Sequence, residues 1–310
     1  MYNFDIITKI LTKLNIYPAE ITRFTTGYCH KVYHVVTQTG DFVLRITSEE
    51  NKRFYLGSLK YLAKLAELNL PVPKILRNGQ YDNVYYVLMS YIKGKDLGEM
   101  YHILNGEQKR NIVKQLIEIQ KKVAALPPIE QYGYDGWSFP TWGEYVEAYI
   151  ERSRHRIIQN KIFSVSICNK VASIMKSTMS NYFSTIKPTA FLEDISTKNV
   201  LICSKGKLAG VVDIDEMCHG DSLIVLGLTQ MALLNMKADT KYIDYWLDEL
   251  NATETERKAV KFYTLLFCLD FMAEQGAAYD NGTVITANNG KIELLKTLYE
   301  QLISEFLFTT

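Results

Sequence analysis

The chain has 310 residues, 47% hydrophobic and 22% charged, a composition typical of a globular protein with room for a large core. Its 35 basic and 34 acidic residues give a net charge of +1, which offers no support for a nucleic-acid-binding surface. No apolar segment is long enough to span a bilayer, and no signal peptide is recognisable. Five cysteines without a CxxC pair predict reduced thiols. We therefore expect a cytoplasmic protein whose partners include neither nucleic acid nor membrane.

The first ninety residues have the pattern of a small sheet with flanking helices. Apolar residues at helical spacing predict a helix over 3–14, and a leucine-rich helix over 53–68 stops before Pro71. Runs rich in β-branched and aromatic residues predict strands at 21–25, 31–37, 41–47, 72–77 and 83–91. Five strands in so short a segment favour an antiparallel sheet lobe.

The pattern becomes helical after Lys93-Gly94-Lys95. Helices are predicted over 106–126, 142–158, 167–185, 223–236, 241–250, 254–275 and 289–307, interrupted by one hairpin at about 200–213. The expected fold is α+β, with an N-terminal antiparallel sheet lobe over 1–92 and a larger, mainly helical lobe over 93–310. A hinge is predicted near 90–94, and ligands often bind where two lobes meet.

Two acidic clusters flank the predicted hairpin. Asp194 is followed five residues later by Asn199 and the apolar run Val200-Leu201-Ile202, and the second cluster is Asp213-Ile214-Asp215. A carboxylate can accept a proton from a substrate hydroxyl, while amide and carboxylate oxygens can hold magnesium. These are the groups that a kinase active site requires.

The two clusters differ in how readily a simpler interpretation explains them. Asp194 and Asn199 could belong to an ordinary turn, since both residue types favour turns and helix caps. Two aspartates inside an otherwise apolar predicted strand, Val211 to Asp215, are costly unless they bind something. That cost makes Asp213 the strongest candidate in the sequence.

These residues resemble the aminoglycoside phosphotransferase and choline kinase group. The resemblance rests on Asp194-x-x-x-x-Asn199-Val200-Leu201-Ile202, on Gly210-Val211-Val212-Asp213-Ile214-Asp215 and on His219-Gly220-Asp221. Phe42-Val43-Leu44-Arg45-Ile46, Leu70 to Leu76 and Val87 to Gly94 are similar to segments of that family's first lobe. The resemblance implies a protein-kinase-like bilobal fold in which the first lobe binds the nucleotide and the second carries catalysis and acceptor binding.

The resemblance also implies individual roles. Asp194 would be the catalytic base, Asn199 and Asp213 would bind Mg²⁺, and Asp215 would support the same metal site. ATP or GTP would be held by the side chain of Arg45, the turn at Gly27, the main chain of Ser90 and Ile92, and Met89 at the back of the pocket.

The chain departs from the family pattern at three places. Leu192-Glu193-Asp194 stands where the family usually has His-Gly-Asp, and that His braces the loop in the family. Arg45 replaces a lysine and offers a planar fork instead of a point charge. No helix glutamate can be assigned as the partner of Arg45, because Tyr55, Gly57 and Ser58 occupy the expected positions.

We therefore expect an ATP-dependent phosphotransferase acting on a hydroxyl of a small molecule, as a monomer or a homodimer. The alternative is a nucleotide-binding pseudokinase or regulatory protein. The acceptor stays open between antibiotics and metabolites such as choline, a sugar or a hydroxy-amino acid. An acidic acceptor pocket could use Asp244, Asp248, Glu249, Asp270 or Glu274, and Trp137, Trp142 and Trp246 could contribute cation–π contacts.

Overall fold

The structure, a computed structural model, describes residues 4–24, 30–277 and 285–307. The chain forms two compact units, and the described part of the first comprises 4–24, 30–93 and the three residues Asp213–Asp215. The described part of the second comprises 94–212, 216–277 and 285–307. The assignment of nucleotide binding to 1–92 and of catalysis to 93–310 stays a prediction.

The first unit is built on an antiparallel sheet with the strand order β1-β2-β3-β5-β4. Its strands are β1 (Glu20–Arg23), β2 (Lys31–Thr37), β3 (Gly40–Ser48), β4 (Ile75–Tyr81) and β5 (Val84–Ser90). All five were expected, but β4 begins three residues later than predicted. Pro71 and Pro73 lie just before it, and proline has no N–H to donate to a strand ladder.

Two helices accompany this sheet, α1 (Phe4–Lys13) and α2 (Lys52–Glu67). Ile7, Ile10 and Leu11 share one face of α1 and join the core that contains Leu44 of β3. In α2, Gly57 lies so close to the carbonyl oxygen of Asp215 that a Cβ atom would overlap it. Glycine at this position therefore lets α2 pack directly on the main chain of the second acidic cluster.

The second unit is mainly helical. Its helices are α3 (Leu97–Met100), α4 (Gly106–Ala124), α5 (Trp142–Asn160), α6 (Ser166–Ile174), α7 (Ser180–Phe183), α8 (Ile224–Asn235), α9 (Lys241–Glu249), α10 (Glu254–Ala273) and α11 (Asn289–Leu307). The helix predicted over 167–185 is divided by a π-helical turn at Met175–Met179. The hydroxyls of Ser177 and Thr178 donate to the carbonyl of Ile174 there, at 3.3 and 2.7 Å, which perturbs the regular ladder.

Two small antiparallel sheets carry the loops of the second unit. The strands are β6 (Lys95–Asp96), β7 (Tyr132–Tyr134), β8 (Trp137–Phe139), β9 (Thr189–Phe191), β10 (Val200–Ile202), β11 (Leu208–Val211) and β12 (Cys218–Gly220). They pair in the orders β11-β10-β6 and β8-β7-β12-β9. The predicted hairpin is present as β10 and β11.

The strand predicted to run from Val211 to Asp215 ends at Val211, so that part of the prediction is wrong. Asp213 has a φ of 61°, in the left-handed region, which breaks the extended conformation. Aspartate tolerates this region better than most residues, but the conformation has a cost and marks a position with a specific backbone requirement. Across the described ranges, every helix is too short or too polar to cross a membrane.

Candidate active site

Asp194 lies in the loop between β9 and β10, where the chain leaves one small sheet and enters the other. Ser196 donates its hydroxyl to Oδ1 of Asp194 at 2.8 Å, and Asn199 donates its side-chain Nδ2 to the Asp194 carbonyl at 3.0 Å. Asp194 itself is exposed. The loop thus fixes an accessible carboxylate by short local hydrogen bonds, as a proton acceptor requires.

The orientation of Asn199 follows from the same contacts. Because its Nδ2 is donated to Asp194, its Oδ1 is the side-chain atom suited to a cation. The Asn199 carbonyl accepts the N–H of Val212 at 2.9 Å, and Val212 directly precedes Asp213. Asp194 and Asn199 therefore form one arrangement within the second unit.

Asp213 and Asp215 belong to the first unit, where both face Arg45 of β3. The Arg45 Nη1 atom lies 3.5 Å from Oδ1 of Asp213 and 2.5 Å from Oδ1 of Asp215. His30 Nε2 lies 2.6 Å from Oδ2 of Asp215, and its Nδ1 is 3.0 Å from the hydroxyl of Thr47. The partner of Arg45 that the sequence left unassigned is thus Asp215, together with Asp213.

The two carboxylates differ in exposure and therefore in what they can do. The side chain of Asp215 is 12% exposed, whereas that of Asp213 is 47% exposed. Burial raises the pKa of Asp215, but the positive charge of Arg45 and the hydrogen bond from His30 outweigh burial and hold that pKa below its ordinary value. Asp215 is therefore a buried, ionised anchor, and Asp213 is the carboxylate accessible to a ligand.

Arg45 also carries polar atoms that the described residues do not satisfy. The side chain is 3% exposed, and neither Nε nor Nη2 has a hydrogen-bond partner among residues 4–24, 30–277 and 285–307. Buried donors without a partner are costly, and a guanidinium is shaped to bind phosphate through two nitrogens. This arrangement fits a phosphate group better than a purely structural ion pair.

The predicted adenine contacts lie at the end of β5. Met89 is buried opposite Val43. The N–H of Ser90 is donated to Lys74, and the Ser90 hydroxyl accepts the N–H of Lys74, both at 2.9 Å. A main-chain contact between Ser90 and adenine would therefore have to use the Ser90 carbonyl oxygen. Ile92 follows the strand in irregular chain, and Gly27 lies outside the described residues.

Glu193, next to the candidate base, is half-buried in the second unit. The hydroxyl of Tyr145 donates to its Oε1 at 3.0 Å. Burial raises the pKa of Glu193 well above its ordinary value, and the neighbouring acids Asp194, Glu216 and Asp270 act in the same direction. The surroundings of Glu193 in the second unit therefore disfavour its ionised form.

Most of the acids considered for an acceptor pocket have other partners. Asp270 accepts from Ser153 and pairs with Arg152 and Arg156 at 3.2 to 3.4 Å. Asp248 pairs with Arg257 at 2.9 Å, and Glu249 with Lys114 at 3.3 Å. These three acids therefore have structural roles available that need no ligand.

The tryptophans considered for cation–π contacts with an acceptor also have partners within the protein. The Arg152 guanidinium lies 3.9 Å from the ring centre of Tyr149 and 5.5 Å from that of Trp137. Trp142 is fully buried and donates its Nε1 to the hydroxyl of Tyr263 at 2.7 Å. A side chain of the protein thus occupies the cation–π position beside Trp137, and Trp142 belongs to the core.

Four residues near the site were not recognised in the sequence: His30, Ser196, Gln120 and Tyr145. His30 contacts Asp215 across 185 residues of chain, and Gln120 contacts Leu192 across 72. No local spacing predicts such contacts, because they depend on the tertiary fold. Of the four, Ser196 is the residue that the sequence could have revealed, because a hydroxyl two residues after an aspartate often bonds that aspartate in a turn.

A five-stranded antiparallel sheet followed by a helical unit, with the Asp194–Asn199 loop and Asp213 after a hairpin, defines a protein of the protein-kinase-like fold. The sequence model of the phosphotransferase enzyme family matches residues 20–263. The chain belongs to this family, as the resemblance predicted.

One curated relative is an uncharacterised protein in the ileS 3′ region of Staphylococcus aureus. It is 28% identical over 126 residues, which cover 41% of this chain and 88% of the relative. The match supports a relationship but brings no function with it.

Solved structures are similar over nearly the whole chain. An aminoglycoside phosphotransferase, the apo form of a thermostable APH(4)-Ia mutant, superimposes with a TM-score of 0.70 and 15% identity, covering 97% of this chain and 99% of that one. A similar structure is a ternary complex of that enzyme with AMP-PNP and hygromycin B. A putative fructosamine-3-kinase from Haemophilus somnus has a TM-score of 0.67 and 13% identity, covering 98% of this chain and 97% of the other. At these identities the similarity establishes the fold alone.

Proposed function

We propose that the protein is a magnesium-dependent kinase that transfers the γ-phosphoryl group of ATP to a hydroxyl of a small molecule. The observation that carries the proposal is Arg45, whose buried guanidinium contacts Asp213 and Asp215 and keeps two nitrogens without a partner among the described residues. These unsatisfied buried donors support phosphate binding, and the exposed carboxylate of Asp194 supports transfer, because a protein that only binds nucleotide has no use for a base.

In this proposal Asp194 orients the acceptor hydroxyl and accepts its proton. Its Oδ1 is fixed by Ser196 and its carbonyl by Asn199, so the carboxylate is held in place before the acceptor arrives. Most of the acceleration would come from such positioning and from charge stabilisation.

Asn199 and Asp213 would supply oxygen ligands to magnesium, and Asp215 would hold Arg45 in place. Among the described residues no group of three His, Cys, Asp or Glu side chains is suited to a metal ion. The donor set nevertheless fits magnesium, which is usually bound by one or two carboxylates with phosphate and water oxygens completing the shell. Bound magnesium would neutralise charge on the transferring phosphoryl group.

Arg45 would bind the phosphates, while Met89, the Ser90 carbonyl and Ile92 would contact adenine. The acceptor is proposed only as a small molecule with an alcohol group. Hygromycin B and a fructosamine, named for the similar structures, enter the test as candidates, with choline, sugars and hydroxy-amino acids beside them.

The test compares the wild type with Asp194→Asn and Asp213→Ala in two assays: thermal shift with Mg·ATP or Mg·GTP, and ADP or GDP release with the acceptor panel. Nucleotide at 100 times its Kd stabilises the folded state by about 2.7 kcal/mol, so we expect a shift of roughly 5 °C. Asp194→Asn should keep the shift and lose turnover by about 100-fold or more. Asp213→Ala should lose the magnesium-dependent part of the shift.

Two results would contradict the proposal. A nucleotide-dependent shift without turnover on any acceptor, unchanged in Asp194→Asn, would identify a nucleotide-binding pseudokinase. The absence of any shift with either nucleotide would remove the nucleotide site itself.

A further inference from the structure

The main chain just before the candidate base is held by a side chain from a distant helix. The amide of Gln120, on α4, makes two hydrogen bonds to Leu192: its Nε2 donates to the Leu192 carbonyl at 2.8 Å, and its Oε1 accepts the Leu192 N–H at 3.0 Å. A primary amide offers a donor and an acceptor side by side, as a neighbouring strand does. Gln120 thus bonds the residue directly after β9 as a neighbouring strand would, at a point where the chain has already left the sheet.

Among the described residues, Leu192 is the last position before Asp194 whose main chain is hydrogen-bonded by a distant side chain. β9 ends at Phe191 and β10 begins at Val200, so the residues between them have no strand ladder. Leu192 is 2% exposed, and its main-chain groups would be buried without partners if Gln120 were removed. Downstream of Asp194, Ser196 and Asn199 supply the corresponding support. The base is therefore held from both sides, with Gln120 as the upstream support.

This contact also explains how the loop accommodates an apolar residue at position 192. Leucine anchors the loop by packing but cannot form a side-chain hydrogen bond, so the polar support must come from elsewhere. Gln120 provides it through the main chain, which does not depend on the identity of the side chain at 192.

We propose that Gln120 is a positioning residue for Asp194, acting through the main chain of Leu192. The proposal rests on the proposed function, because it assigns a consequence for turnover. It predicts that loss of the amide misplaces the base far more than it disturbs nucleotide binding. Arg45 and Asp213 lie in the first unit, and the magnesium ligand Asn199 keeps its own anchor, the Val212 N–H that its carbonyl accepts at 2.9 Å.

The test is Gln120→Leu, which removes both hydrogen bonds at nearly constant size. Gln120 lines a cavity of about 140 Å³, so leucine has room. We expect kcat for Mg·ATP turnover, with water or with an identified acceptor, to fall about 10- to 100-fold, because small misplacements of reacting groups cost rate steeply. The KM for ATP and the Mg·ATP thermal shift should stay within about twofold, a split between kcat and KM that general destabilisation would not produce.

Gln115→Leu is the matched control. Gln115 lies on the same helix, is exposed, and bonds only its own helix, through Nε2 to the Asn111 carbonyl at 3.0 Å. It should have wild-type kinetics. If Gln120→Leu does not fold, Gln120→Glu replaces it: this variant keeps the acceptor for the Leu192 N–H, loses the donor, and should also lower kcat at unchanged KM.

A folded Gln120 variant with kcat within twofold of the wild type would overturn the proposal while leaving the proposed function intact. If the wild type itself shows no turnover, hydrogen exchange over 190–199 decides instead. Faster exchange in Gln120→Leu than in Gln115→Leu, confined to that segment, would support the positioning role, and equal exchange would refute it.

Discussion

At the scale of single residues, the most informative contact is the ion pair between Arg45 and Asp215. Both side chains are largely buried, at 3% and 12% exposed, so removal of one charge leaves the other desolvated. Asp215→Asn should lower the free energy of unfolding by about 3 kcal/mol. Urea denaturation followed by circular dichroism measures this directly.

A control and a pH series sharpen this prediction. Glu118→Gln removes an exposed pair with Lys121, both 65% exposed, and should change stability by less than about 0.5 kcal/mol.

The pKa of Asp215 is lowered by folding, so its contribution to stability is complete above the pKa of aspartate in the unfolded chain, about 3.9. The difference between wild type and Asp215→Asn should shrink as the pH falls below that value through the folded-state pKa. A difference that grows in acid would contradict the assignment.

At the scale of elements, helix α2 requires glycine at position 57. This is one of the positions where a kinase helix was expected to supply a glutamate. A methyl group at Gly57 would overlap the Asp215 carbonyl oxygen. Gly57→Ala should therefore destabilise the protein by about 1–3 kcal/mol, although alanine is the better helix former. Thermal or urea unfolding provides the measurement.

Gly143→Ala is the matched control for that substitution. Gly143 lies in the first turn of α5, and the one contact found for a Cβ there, within the described part of the chain, is Thr141 Oγ1 at 4.0 Å. This variant should be neutral or slightly stabilising. Equal losses of stability in the two variants would show that the proximity of α2 to Asp215 is unimportant.

The same region shows what could be predicted from sequence. Periodicity placed α2 within one residue of its bounds, because helical spacing is a local property. The partner of Arg45 could not be found in that way, since Asp213 is 168 residues away and glycine occupies the expected helix position. The loop carrying Asp194 and Asn199 was visible as a motif, whereas its support from Gln120 required the tertiary fold.

At the scale of the whole molecule, the first unit is not continuous in sequence. Asp213–Asp215 group with the described residues 4–24 and 30–93, and Asp215 contacts both Arg45 and His30. A fragment comprising residues 1–93 would bury the Arg45 cation without either carboxylate.

We therefore expect the 1–93 fragment not to fold on its own, although its sheet has its own apolar core. Circular dichroism melting of the purified fragment should show no cooperative transition under conditions where the full chain shows one. The fragment with Arg45→Met is the informative companion, because it removes the unpaired charge and should recover part of the lost structure. A cooperative transition in the unmodified fragment would contradict the prediction.

The support of Leu192 through its main chain has a consequence for how related sequences vary. If Gln120 positions the base through the N–H and carbonyl of Leu192, any side chain that packs is acceptable at position 192 as long as position 120 keeps an amide. Substitutions at the two positions should then be correlated across an alignment of relatives: glutamine at 120 should accompany apolar residues at 192, and other residues at 120 should accompany histidine there. A search pattern that demands histidine two residues before the aspartate would then reject members whose loop is supported from α4.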